Sequence, residues 1–165
     1  MEYTIRQAMQ QDAARIAQIN VETWHFAYKG IISDEYLNTL SIEKRTADWY
    51  RILDPSNTRT YTIIIQDQND IVQGYCSGGL SRINGFQAEI YALYLDPASH
   101  KKGLGRALIE AFMHYCREQD LTSICVLVLS NNPACGFYQA MGARFIRHES
   151  LQLGDTEYQE SLYAW

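Results

Sequence analysis

The densest chemistry in this sequence lies in one short run, His100-Lys101-Lys102-Gly103-Leu104-Gly105-Arg106. Lys101, Lys102 and Arg106 bring positive charge. Gly103 and Gly105 let a ligand approach the main chain with no Cβ in the way. An amphipathic segment follows at once, with Leu104, Leu108, Ile109, Phe112, Met113 and Cys116 on one helical face. The first N–H groups of such a helix lack intrahelical partners, and the dipole adds partial positive charge there. Arg106 is unfavourable at that end unless an anion lies close by. The run is therefore expected to hold a phosphate or pyrophosphate. A solvated basic turn with a packing glycine is the alternative. Two familiar phosphate loops do not fit. No Gly-x-x-x-x-Gly-Lys-Ser/Thr occurs, and Leu108 stands where a dinucleotide fingerprint needs its third glycine.

Other reactive residue types give less. Gly74-Tyr75-Cys76-Ser77-Gly78 has the form of a nucleophile elbow, but the motif needs a helix after its strand, and here a hairpin is expected. Cys76, Cys116, Cys125 and Cys135 form no Cys-x-x-Cys pair and read as reduced core thiols. The four histidines are scattered, so no metal is expected.

The elements that must position the loop can be read on both sides of it. Before it, Glu89 to Leu95 is apolar on both faces, as a strand buried on both sides would be. Asp96-Pro97 ends that strand. After the helix, Thr122 to Leu129 is another apolar strand, which a crossover helix allows to run parallel to the first. Upstream, a strand is expected at Tyr3 to Arg6. Asp12 can cap a helix that continues toward Trp24. Ser33 and Ser41 cap helices over Asp34 to Leu40 and Ile42 to Leu53. Thr60 to Gln66 and Ile71 to Ser77 read as paired strands, and Asn84-Gly85 as a two-residue hairpin turn. Downstream come a helix over Asn131 to Met141, stopped by Gly142, and a terminal hairpin over Ala143 to Trp165. The expected fold is α/β, a single mixed, mostly antiparallel sheet flanked by helices.

Length and composition set the outer limits. The 165 residues, 47% hydrophobic and 20% charged, suit one globular domain spanning 1–165. A net charge of −5 argues against nucleic acid and slightly favours a cationic substrate. No apolar run approaches a membrane span, and Met1-Glu2-Tyr3 does not begin a signal peptide, so a cytoplasmic location is expected.

With the loop set between that strand and that helix, the chain resembles the GNAT (GCN5-related N-acetyltransferase) family. The family signature Gln/Arg-x-x-Gly-x-Gly/Ala reads here His100-Lys101-Lys102-Gly103-Leu104-Gly105, with histidine in the first place. A second signature, Asn-x-x-Ala-x-x-Phe-Tyr, reads Asn131-Asn132-Pro133-Ala134-Cys135-Gly136-Phe137-Tyr138. The element order agrees over nearly the whole chain. The resemblance implies acetyl-CoA as acyl donor. It implies that Leu93, Tyr94 and Leu95 bond the pantetheine arm. Lys101, Lys102, Gly103, Leu104, Gly105 and Arg106 would hold the pyrophosphate, Asn131 would lie at the pantetheine, and Tyr138 would stand near the thioester sulfur.

The implied reaction is attack of an amine on a thioester. An alkyl amine with pKa ~10.4 is neutral about once in several thousand molecules at pH 7, so freeing its lone pair costs roughly 4–5 kcal/mol. Glu89 is the leading proton acceptor, since its distance from the loop matches the glutamate base of the histone acetyltransferase branch. Glu22 and Asp34 rank behind it. A bulge near Leu95 would supply a backbone donor for the oxyanion. Tyr138 would serve the departing thiolate. The segment Trp24 to Ile32, with Trp24 and Tyr28 foremost, would form the acceptor wall. A small amine, a peptide or protein amine, and a non-catalytic CoA-binding module remain as alternatives, and a homodimer is possible.

Overall fold

The computed structural model describes residues 2–165. Seven strands make one sheet in the order β1-β2-β3-β4-β5-β7-β6. They are β1 Tyr3–Gln7, β2 Thr60–Asp67, β3 Val72–Leu80, β4 Ala88–Leu95, β5 Ile124–Leu129, β6 Arg144–Leu153 and β7 Thr156–Ala164. Five helices accompany them: α1 Ala13–Ala27, α2 Asp34–Leu37, α3 Ile42–Ile52, α4 Leu104–Glu118 and α5 Ala134–Ala140. All neighbouring pairs are antiparallel except β4 and β5, which run parallel. The mixed, mostly antiparallel sheet expected from the sequence is the one observed.

Helices cover the sheet on two sides. The apolar stripe of α4 (Leu104, Leu108, Ile109, Phe112, Cys116) packs with α5 on Ile63, Ile65, Cys76, Ile90, Val126 and Val128. On the opposite face, Ile16, Ala17 and Ile19 of α1 and Trp49 of α3 pack on Ile64, Val72 and Tyr75. The alternation of β2 explains the division, since Ile63 and Ile65 serve one layer and Ile64 the other. Contact between α4 and the sheet is close. A Cβ at Gly78 would come within 2.4 Å of both Phe112 Cζ and the Glu89 carbonyl oxygen, so β3 must carry glycine there.

Local differences from the sequence reading have physical causes. Asp12 does not cap α1. Its carboxylate instead accepts the Met9 N–H at 2.8 Å and binds Arg6 at 2.7 and 2.9 Å, a bidentate pair tying β1 to the helix entry. Ser33 and Ser41 do cap, accepting from Tyr36 and Lys44. The short α2 stops at Leu37 and not Leu40. Asn84-Gly85 forms its turn, closed by Phe86 N–H to Ile83 O at 3.3 Å with Gly85 at φ +93. The flanking strands end earlier than a two-residue hairpin requires: Gln87 accepts the Ser81 N–H but gives its own N–H to Ser123 O, which breaks the regular ladder there. Helix α5 begins at Ala134, after Pro133, with the Asn132 side chain accepting the Ala134 N–H at 2.8 Å.

Candidate active site

The middle of the sheet opens. Strands β4 and β5 pair only through Ala88, Glu89 and Ile90 against Ile124, Cys125 and Val126. At that point β4 carries one extra residue, Tyr91, between the partners of Ser77 and Gly78 on β3. A bulge increases local twist and bends its strand, which turns the rest of β4 away from β5. The bulge was expected near Leu95; it lies four residues earlier, where Gly78 lets the strands crowd.

The parted strands frame a cavity of about 860 Å³. Its walls are β4 from Ile90 to Leu95, the middle of β5, the last turn of α1, the loop and first turn of α4, and α5. Backbone polarity follows from the ladder. The Asp96 N–H bonds to Gln73 O on β3 at 2.8 Å, so alternation directs the Tyr94 backbone to β3 as well. Leu93 and Leu95 then present their N–H and C=O groups toward the gap. The Leu95 carbonyl accepts Thr23 Oγ1 at 3.0 Å and lies 3.3 Å from His100 Nε2. Of the three strand residues singled out for backbone bonding, Leu93 and the Leu95 N–H are therefore free on the cavity side, the Leu95 carbonyl is already engaged by Thr23, and Tyr94 is not free. Its backbone is spent on β3, and its ring forms wall instead.

At the far end, the loop enters α4 through Gly103, whose φ of +79 is left-handed and suits glycine. The N–H groups of Gly103, Leu104, Gly105 and Arg106 find no acceptor among the described residues. His100, Lys101, Gly103, Leu104, Gly105 and Arg106 all reach the cavity, while Lys102 does not. Arg106 has a partner the sequence reading overlooked, Glu110 one turn on at 3.6 Å, both well exposed. Such a pair is worth only ~0.3–0.5 kcal/mol and leaves the cation available.

The second signature is displaced by one residue. Asn131 is exposed and off the wall, whereas Asn132 lines it, because its cap to Ala134 turns it inward. Tyr138 lines the cavity, packed edge-on against Phe137 and Trp165. Burial pushes its phenol well above the ordinary value, so it is a proton donor at any physiological pH. Its hydroxyl makes no hydrogen bond among the described residues.

Glu89 behaves differently from expectation. It is 1% exposed and lines neither this cavity nor the smaller one described below. Arg82 holds it from three directions, NH2 to Oε1 at 2.6 Å, and Nε and the backbone N–H to Oε2 at 3.1 and 2.9 Å. The same guanidinium lies over the Tyr91 ring at 4.4 Å. Glu22 and Asp34 are exposed and line neither wall. Cys76 sits inside β3, which runs on to Leu80, and burial drives its thiol upward, so no nucleophile elbow exists. Among the described residues no three of His, Cys, Asp or Glu converge on a metal position, and no helix is long and apolar enough to cross a membrane.

A second, smaller cavity of about 350 Å³ opens on the α1 and α3 face of the same strand. Tyr91, Ala92 and Tyr94 line both, so the bulged stretch of β4 is their common wall. Trp24 belongs to the smaller cavity, where its Nε1–H donates to Tyr94 Oη at 3.0 Å. Tyr28 belongs to the larger one, its hydroxyl facing Tyr94 and the Asn132 amide. The sequence reading put both on one acceptor wall; one turn of α1 separates them onto two. Thr23, Asn132 and the Tyr94 phenol escaped it, since they come from α1, the loop after β5 and β4, which only the fold brings together.

Comparison with known proteins agrees with this geometry. Residues 18–143 match the acetyltransferase (GNAT) family model. The chain is 28% identical over 164 residues to the uncharacterized N-acetyltransferase YuaI of Bacillus subtilis (strain 168), across 98% of this chain and 92% of that one. It is 32% identical over 117 residues to the L-methionine sulfoximine/L-methionine sulfone acetyltransferase of Salmonella typhimurium, across 69% of this chain and 63% of the other. In three dimensions it resembles the PaiA N-acetyltransferase of Thermoplasma acidophilum, crystallised with coenzyme A, with a TM-score of 0.73, 20% identity and 98% of each chain covered. At that identity the likeness concerns the fold.

Proposed function

This chain belongs to the acetyltransferase (GNAT) family, and from that premise we propose that it carries the acetyl group of acetyl-CoA to a small primary amine by direct attack in a ternary complex. One observation carries the reading: two parallel strands part beside a bulge, and the gap runs to unbonded N–H groups at a helix start. A pantetheine arm has amides that suit the free backbone groups of Leu93 and the free N–H of Leu95, as a short extra strand would. A pyrophosphate suits the crown of N–H groups from Gly103 to Arg106, with Lys101 and Arg106 adding charge. Asn132, and not Asn131, is the side chain we assign to the arm.

In the reaction the amine reacts in its neutral form, having given its ammonium proton to solvent. Its nitrogen bonds to the thioester carbon, the C–S bond breaks with the sulfur taking the electron pair, and the N–H proton released as the amide forms passes to water or to the departing thiolate. A thiolate of pKa ~8.5 departs readily. Tyr138 stays protonated and donates a hydrogen bond to the sulfur as charge develops. Glu89, its oxygens taken, enters through Arg82, which it fixes against Tyr91 at the strand bend. We place the amine in the smaller cavity, which shares Tyr91, Ala92 and Tyr94 of the bulged strand with the larger one. At about 350 Å³ it sits near the lower limit for ligand pockets, which favours a small amine over a peptide. A relative that acetylates methionine sulfoximine and sulfone points the same way.

Calorimetry with acetyl-CoA and with CoA, followed by thiol release over a panel of amines read by mass spectrometry, tests this. Micromolar binding of both nucleotides and turnover of small amines are expected. Folded protein that gives no heat with either nucleotide refutes it.

A further inference from the structure

The smaller cavity has a charge pattern of its own, different from that of the whole chain. Arg45, Asp48 and Arg82 are its charged residues. Two of the three are neutralised: Arg82 is held by Glu89, and Asp48 is paired with Arg51. Arg45, on α3 and half-buried, makes no ion pair with any described carboxylate. Beside it in the same wall, buried Asn20 donates Nδ2 to Tyr75 Oη at 2.9 Å and leaves its Oδ1 without a partner. One spare cation and one spare acceptor thus share a pocket walled by Trp24, Trp49 and Tyr91.

We propose that the acceptor carries an anionic group, most simply the carboxylate of a free α-amino acid, received by Arg45 while its nitrogen turns toward Asn20 and the bend of β4. A half-buried guanidinium with no counter-ion recognises a carboxylate in a planar, two-point manner that an amide cannot match. A polyamine would face Arg45 as a like charge. The overall charge of −5 favours a cation, but a remote, screened charge counts for less than one at contact. The inference rests on the acetyl-transfer reading above.

The test uses the intact chain with acetyl-CoA and matched acceptors: free amino acids, their primary amides, and spermidine. Free amino acids should exceed their amides and spermidine by about tenfold or more in kcat/KM, the range of one charge-assisted bond. Arg45→Gln should collapse the acid-to-amide ratio toward one, chiefly by raising KM for the acids, and Arg45→Lys should restore part of it. Calorimetry with acetyl-CoA on each variant verifies folding. Amides or spermidine serving as well as acids would overturn the proposal. So would equal losses for acids and amides in Arg45→Gln, or no turnover of any amine by protein that binds acetyl-CoA. Failure of the wild-type chain to bind acetyl-CoA would instead remove the underlying reading, and this one with it.

Discussion

The two cavities on either side of β4 are built from different materials. The larger, between apolar side-chain walls, offers main-chain groups for recognition: a strand edge, a left-handed glycine and the opening turn of a helix. The smaller is made of side chains drawn from α1, α3, β2, β3 and β4, positions as far apart as Asn20 and Tyr94. Main-chain recognition asks for one backbone path, which a short sequence motif encodes. Side-chain recognition asks for a meeting of distant residues, which the fold alone encodes. A constant ligand suits the first design, and a variable one the second.

Breaking the backbone design should cost most. Gly103→Val forces a β-branched residue into a left-handed position, a strain of roughly 1–3 kcal/mol that displaces the N–H crown. Acetyl-CoA affinity should fall on the order of 30-fold by calorimetry, with the acid-to-amide preference of the smaller cavity retained. Loss of that preference as well would show that the two cavities are not separable.

Tyr138→Phe tests the junction of the two. We expect kcat to drop about tenfold with both KM values little changed, because the lost bond acts on charge present mainly in the transition state. Burial holds the phenol protonated, so it contributes no falling limb to the rate up to about pH 10. A limb near pH 9 that disappears in the Phe variant would refute this assignment, as would an unaltered kcat.

The smallest effect concerns the tie between the designs, Arg15 of α1 to Asp96 at the end of β4. Burial alone would raise the Asp96 carboxyl, but the Ala98 N–H and Arg15 outweigh it and hold it below its ordinary 3.8. Its stabilisation is therefore present above about pH 4 and disappears as pH falls through the lower folded value. Asp96→Asn should cost about 1 kcal/mol in urea at pH 7, and the two unfolding curves should converge as pH falls below the lowered folded value. A constant difference across that range would show that the carboxylate charge is not what matters.

The same contrast explains what the sequence revealed. The order of elements and the glycine-bearing basic loop at the start of α4 were readable because periodicity, Asp96-Pro97 and the glycines act locally. The pairing of Glu89 with Arg82 was not, since it needs the β3–β4 connection to fold back. The bulge was looked for at Leu95, yet its position depends on Gly78 crowding Phe112 from another strand. Asn132 was passed over for Asn131 because a neighbouring cap, and no motif, decides which amide turns inward. Arg45 and Asn20 carried no local signal at all.

Three paired residues are all that join β4 to β5. Under the proposed reading, the edge they leave bare would take up the part that loaded and spent coenzyme have in common, with little to distinguish them. Free CoA should accordingly compete with acetyl-CoA at nearly equal strength. The output of such an enzyme would then follow the ratio of the two thiol forms in the cell rather than the supply of acetyl donor by itself.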